Sequence, residues 1–80
     1  MDISMSDVTL SAFREVLNDP GIAPGDDFFE VGGDSVQAIM ALSVIEEAIG
    51  AEVPVALFFT YPSAAGLAEA VAATLASAGD

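Results

Sequence analysis

The stretch from Asp19 to Asp34 constrains the fold more than any other part of this chain. Pro20, Gly21, Pro24, Gly25, Gly32 and Gly33 all fall within it, and no helical or strand period survives so many turn formers. Such a long connection is unusual in a domain of 80 residues, and long loops are as a rule either functional or disordered. Ile22, Phe28, Phe29 and Val31 lie along it, and side chains of that kind pin a loop onto a core. An ordered loop is therefore expected.

The flanking segments read as helices. Leu10, Phe13, Val16 and Leu17 recur at helical spacing from about Asp7 to Asn18, with Ser6 or Asp7 as the cap. A second helix is expected from Asp34 or Ser35 to near Ile49, with Gly50 as its left-handed terminator. At about 100° per residue, Ala38, Ile39, Leu42, Ile45 and Ile49 share one face. Gln37, Met40, Val44 and Glu47, flanked by Val36, share the other. Met40 and Val44 have no need to be apolar there for the sake of the fold.

Pro54 can open a short third helix through Phe59, ended by Tyr61-Pro62. Ser63 suits the N-cap of a last helix whose buried stripe is Leu67, Val71 and Leu75. Gly66 weakens that helix by about 1 kcal/mol relative to Ala and is read as a close helix–helix approach. Ser77-Ala78-Gly79-Asp80 is expected to fray. No alternating strand pattern of useful length occurs. The expected fold is all-α, a small four-helix bundle with a long first loop and a short third helix. It forms one domain over residues 1–80 with an ordered core from about 6 to 76.

Composition excludes much chemistry. The chain holds no Cys and no His, and Arg14 is its only basic residue. Ser–His, Cys–His and Ser–Lys nucleophile pairs cannot be built from it, nor can zinc sites based on His or Cys. Asp26, Asp27, Glu30 and Asp34 do not follow the calcium-loop spacing of an EF-hand. An enzyme acting alone is not expected. The net charge of −12 opposes nucleic acid and anionic membranes, both of which are bound through Lys and Arg, and favours partners with basic patches. The longest apolar run, Val53 to Phe59, is too short to span a bilayer. Met1-Asp2-Ile3-Ser4-Met5 lacks the basic start of a signal peptide. A cytoplasmic, monomeric protein is the expectation.

The informative run is Asp27-Phe28-Phe29-Glu30-Val31-Gly32-Gly33-Asp34-Ser35-Val36. Two glycines allow a tight turn, after which Asp34 and Ser35 start a helix. The Ser35 hydroxyl then lies beside backbone N–H groups that have no intrahelical partner. A phosphate on that oxygen is favoured by the helix dipole by about 0.3–1 kcal/mol, against screened repulsion from Asp27, Glu30 and Asp34. No basic residue is available to clamp a free anion. A covalently attached phosphate fits better than a reversibly bound one, although Gly-Gly-Asp-Ser alone is also an ordinary helix start.

This run resembles the signature of the peptidyl carrier, or thiolation, domains of nonribosomal peptide synthetases, which reads D-x-F-F-x-x-G-G-[H/D]-S-[L/I]. Gly50-Ala51-Glu52-Val53-Pro54 and Tyr61-Pro62-Ser63 before Leu67-Ala68 also fall where that family places them. The resemblance implies a bundle of the acyl carrier protein type. It further implies that Ser35 receives 4′-phosphopantetheine from coenzyme A through a magnesium-dependent phosphopantetheinyl transferase, and that the arm's thiol carries an aminoacyl or peptidyl group as a thioester. Adenylation enzymes and condensation or other tailoring enzymes are then the expected partners. Two departures stand out: Val36 replaces the usual Leu or Ile, and the second helix lacks the Arg that many such domains place there; Asp34 in place of His before the serine occurs within the family.

Within this resemblance Asp34 is expected to cap the helix and help present Ser35. Gly32 and Gly33 are expected to form the turn and keep side chains away from an approaching enzyme, and Phe28 and Phe29 to anchor the loop. Val36, Gln37, Met40 and Val44 are the candidate docking face, Met being suited to a surface that meets several partners. Two rival readings stay open: an acyl carrier of polyketide or fatty acid synthesis, and an unmodified helical adaptor. The length, initial Met and short tails suggest a free-standing carrier, though an excised domain would look the same.

Overall fold

The computed structural model describes residues 4–78, in which four helices follow one another: α1 (Met5–Leu17), α2 (Ser35–Ile49), α3 (Val55–Thr60) and α4 (Ala64–Ala78). Among the described residues, extended pairing is limited to one antiparallel bridge between Asp27 and Ser63. The all-α bundle with a long first loop and a short third helix is as expected. No described helix is long and apolar enough to cross a membrane.

α1 begins two residues before the expected start because Ser4, and neither Ser6 nor Asp7, takes the cap: its hydroxyl accepts from the Asp7 N–H at 3.4 Å. Asn18 ends the helix in the left-handed region, at φ 52°. The buried stripe is Thr9, Ala12 and Phe13, with Leu10, Val16 and Leu17 only half-buried. Thr9 is the one buried polar side chain among the described residues, and its hydroxyl donates to the Ala64 carbonyl of α4 at 2.8 Å. That bond satisfies a group whose burial alone would cost about 1–3 kcal/mol, and it ties the first helix to the last.

On α2 the buried residues are Ala38, Ala41, Leu42 and Ile45. The expectation for Ile39 is corrected: it is 52% exposed. Val44, expected on the outer face, is half-buried against the core. Ala38 and Ala41 are fully buried, so the covered arc of α2 runs through these small residues with Leu42 and Ile45 and leaves Ile39 outside it.

Phe13 of α1, Phe28 of the loop and Phe58 of α3 meet at the centre. Their ring centroids are 4.9 Å (Phe13–Phe28), 5.0 Å (Phe28–Phe58) and 5.4 Å (Phe13–Phe58) apart, spacings at which edge-on rings attract beyond their area burial. Ile22, Ile45, Leu67 and Val71 complete this core. The loop is thus pinned by Ile22, Phe28 and half-buried Phe29; Val31, expected to help, is exposed. The Val31 N–H is spent on the Asp27 carbonyl at 3.0 Å, in a turn that carries its side chain outward.

Main-chain bonds fasten the loop further. Phe28 N–H donates to the Pro62 carbonyl at 2.8 Å, Ala65 N–H to the Pro24 carbonyl at 3.0 Å, and Arg14 Nε to the Ile22 carbonyl at 3.0 Å. Gly50 takes the left-handed conformation at the end of α2, as expected. Ahead of α3, Val53 N–H donates to Glu46 Oε2 at 2.7 Å.

Ser63 caps α4 through a 3.1 Å bond from the Gly66 N–H. Gly66 is no helix–helix approach point, which corrects that expectation. A Cβ there would meet Ser63 Oγ at 3.0 Å and Tyr61 Cβ at 3.6 Å, so the crowding is local to the cap. α4 continues to Ala78, so Ser77 and Ala78 are helical rather than frayed; Gly79 and Asp80 lie outside the described residues.

Candidate functional site at the start of α2

The turn before α2 is built from the core outward. Phe28 is fully buried, and its carbonyl accepts from the Gly33 N–H at 2.9 Å. Asp27 Oδ1 accepts from the N–H groups of Phe29 at 2.8 Å and Glu30 at 3.2 Å, which closes the turn from its other side. Gly32 sits at φ 111°, where L side chains are strained. Gly33 is required for a different reason: a Cβ would collide with the Phe28 ring and lie 2.7 Å from the Phe28 carbonyl oxygen. The expectation that this glycine clears the way for an enzyme is thereby corrected, since the space it leaves is filled by the protein's own phenylalanine.

Asp34 then starts the helix. Its Oδ1 accepts from the Gln37 N–H at 2.8 Å, and its own N–H donates to Gln37 Oε1 at 3.1 Å, a reciprocal capping box. Ala38 N–H donates to the Asp34 carbonyl at 2.9 Å as the first intrahelical bond. The N–H groups of Ser35 and Val36 precede it and have no intrahelical acceptor. Ser35 is the first residue of α2 and is exposed.

Ser35, Asp34, Gly33 and Gly32 thus come together in one turn. Of the outer-face candidates, Val36 is 70% and Met40 52% exposed. Gln37 is half-buried and committed to the capping box, and Val44 is half-buried. Ile39 joins Met40 on the surface and was missed by the sequence reading, because a helical wheel weighted toward large apolar residues passes over the buried Ala38 and Ala41. No group of three metal-ligating side chains converges among the described residues.

The arrangement suits a covalently held phosphate ester. An exposed hydroxyl stands at a helix N-terminus with two free N–H groups, the adjacent carboxylate is turned into its own cap, and Arg14, the only cation, is engaged on Ile22. These residues can orient an attached anion but cannot clamp a free one.

Residues 7–71 match the family described as a phosphopantetheine attachment site. One of the linear gramicidin synthase subunits of Brevibacillus parabrevis is 35% identical over 89% of this chain. The dimodular nonribosomal peptide synthase of Bacillus subtilis (strain 168) is 40% identical over 79% of it. The chain spans only 1% and 3% of the length of these two relatives. Among solved structures, BlmI, a type-II acyl-carrier-protein from Streptomyces verticillus involved in bleomycin biosynthesis, superimposes with a TM-score of 0.84 at 28% identity. That match covers 89% of this chain and 86% of the other. The helix that opens with an exposed serine is therefore found in a chain that belongs to the phosphopantetheine attachment family and is a carrier domain of the nonribosomal peptide synthetase type.

Proposed function

We propose that this chain is a peptidyl carrier whose Ser35 holds the 4′-phosphopantetheine arm. The observation that carries the reading is the state of the α2 start: Ser35 is exposed while the capping box beside it is already complete. Ser11 and Ser43 are also exposed but lie within helices, where the backbone N–H groups are spent; Ser4 and Ser6 are exposed at the start of α1, where Ser4 is itself the cap and no glycine turn precedes the helix. When attached, the arm supplies a terminal thiol on which an aminoacyl or peptidyl group is held as a thioester.

The chain's own residues position this group and do no more. Ser35 Oγ would form the bond to the arm's phosphorus as the pyrophosphate bond of coenzyme A breaks and the nucleotide half departs as adenosine 3′,5′-bisphosphate. Its proton goes to a base on the transferase, because this chain has neither His nor Lys and the Asp34 carboxylate is bound to the Gln37 N–H. The chain is accordingly a non-catalytic component. Its partners are the transferase, an adenylation enzyme, and condensation or tailoring enzymes. The surface next to Ser35 that meets them is formed by Val36 and Met40, with Val44 beneath and Gln37 serving the cap.

The test is a loading comparison on the arm-bearing protein. An adenylation enzyme with ATP and its amino acid should yield an aminoacyl thioester. Loading by a malonyl transferase instead would transfer the reading to an acyl carrier of polyketide or fatty acid synthesis.

A further inference from the structure

The negative charge of this chain is not confined to one face. Glu15 on α1, Glu47 on α2 and Glu69 on α4 are all exposed, and Asp27, Glu30 and Asp34 fall in the run that leads to Ser35. Thirteen acids against one Arg leave a net charge of −12 on a body of 37 × 27 × 20 Å. At an ionic strength of about 0.01 M the screening length is about 30 Å, longer than two of those three dimensions. Under that condition the charges act together on any group tethered to the surface.

A thioester on the Ser35 arm sits within this field. Its hydrolysis begins when hydroxide adds to the carbonyl carbon. The carbon–sulfur bond then breaks, the arm leaves with the electron pair as its thiolate, and the cargo departs as an acid whose proton passes to solvent. Hydroxide is an anion and the transition state carries its charge, so a negative potential slows the step by depleting hydroxide around the arm. The chain adds no thiol, imidazole or lysine amine of its own to attack the same carbon.

We infer that the acidity of this chain protects its cargo: the field of the whole molecule keeps hydroxide from the thioester held on Ser35. Coulomb's law in water, damped over the screening length, gives hydrolysis slowed about 5–10-fold at an ionic strength of about 0.01 M and about 2-fold near physiological ionic strength. The effect belongs to no single pocket and requires no partner. It rests on the carrier reading, and it gives the acidic composition a part in the lifetime of the loaded state.

The test uses protein loaded from acetyl-coenzyme A by a phosphopantetheinyl transferase, which installs an uncharged acetyl thioester, with acetyl-pantetheine as the free comparison. Loss of the acetyl group is followed by mass at mildly alkaline pH, where hydroxide is the attacking species. At low salt the carrier-bound acetyl group should outlast the free one about 5–10-fold, and in about 1 M sodium chloride, where the screening length falls to about 3 Å, the two should decay alike. Glu15→Gln, Glu30→Gln, Glu47→Gln and Glu69→Gln combined remove four exposed charges and should roughly halve the low-salt protection. Equal decay of bound and free thioester at low salt, protection that persists in concentrated salt, or full protection in the quadruple variant would overturn the proposal. The mass recorded before hydrolysis begins reports arm attachment itself, so failure of the carrier reading is seen apart from failure of the protection.

Discussion

Gly33 lies so close to Phe28 that a single added methyl group would strike both the phenyl ring and the carbonyl of that residue. Phe28 is fully buried between Phe13 and Phe58. The position of Ser35, two residues beyond Gly33, is therefore set from the aromatic core. Gly33→Ala should destabilise the domain by about 1–3 kcal/mol, the range for overpacking a filled site. It should also slow arm attachment, because the turn must shift to relieve the clash. Thermal unfolding and the rate of mass gain check both parts; a fully stable alanine variant would show that the turn is not held by Phe28.

Removing the capping box separates stability from presentation. Asp34→Ala loses the bond to the Gln37 N–H and should cost about 1 kcal/mol. Asp34→Ser keeps a cap and should recover most of that loss. Arm attachment to Asp34→Ser is expected at the wild-type rate, as for a residue that presents Ser35 by capping alone. A selective loss of attachment in that variant would assign the carboxylate to recognition as well.

The buried hydroxyl of Thr9 spans α1 and α4 through Ala64. Thr9→Val keeps the shape and removes the donor, while the Ala64 carbonyl keeps its place in the α4 hydrogen-bond ladder. A loss of about 0.5–1.5 kcal/mol is expected in denaturant titrations. No change would mean that the bond adds nothing to stability.

Thirteen acids against one Arg make the compact state self-repelling. Raising sodium chloride from low to moderate concentration should increase the melting temperature by several degrees, since screening shortens the reach of these charges to about 8–10 Å near physiological ionic strength. An indifferent or falling melting temperature would contradict this.

The start of α2 was legible in the sequence because each signal there is local: a glycine pair, a cap residue and a hydroxyl within four positions. The number and order of helices followed from periodicity and from Pro and Gly, for the same reason. What escaped depends on tertiary contact. Ile39 is exposed and Val44 half-buried, contrary to the hydropathy wheel, on which the buried Ala38 and Ala41 carry little weight. Val31 resembled an anchor until the Asp27 turn directed it outward. Ser4, not Ser6 or Asp7, capped α1, a choice among adjacent polar residues that composition does not decide. Gly33 was placed correctly in the turn but for the wrong reason, since a ring packed against it cannot be read from neighbouring residues.

The most direct measurement is the intact mass of the folded protein after incubation with coenzyme A, magnesium and a broad-specificity phosphopantetheinyl transferase, alongside Ser35→Ala. The account expects the wild type to gain one phosphopantetheine and the alanine variant, equally well folded, to gain none. An unmodified wild type, or a label retained by Ser35→Ala, would contradict it.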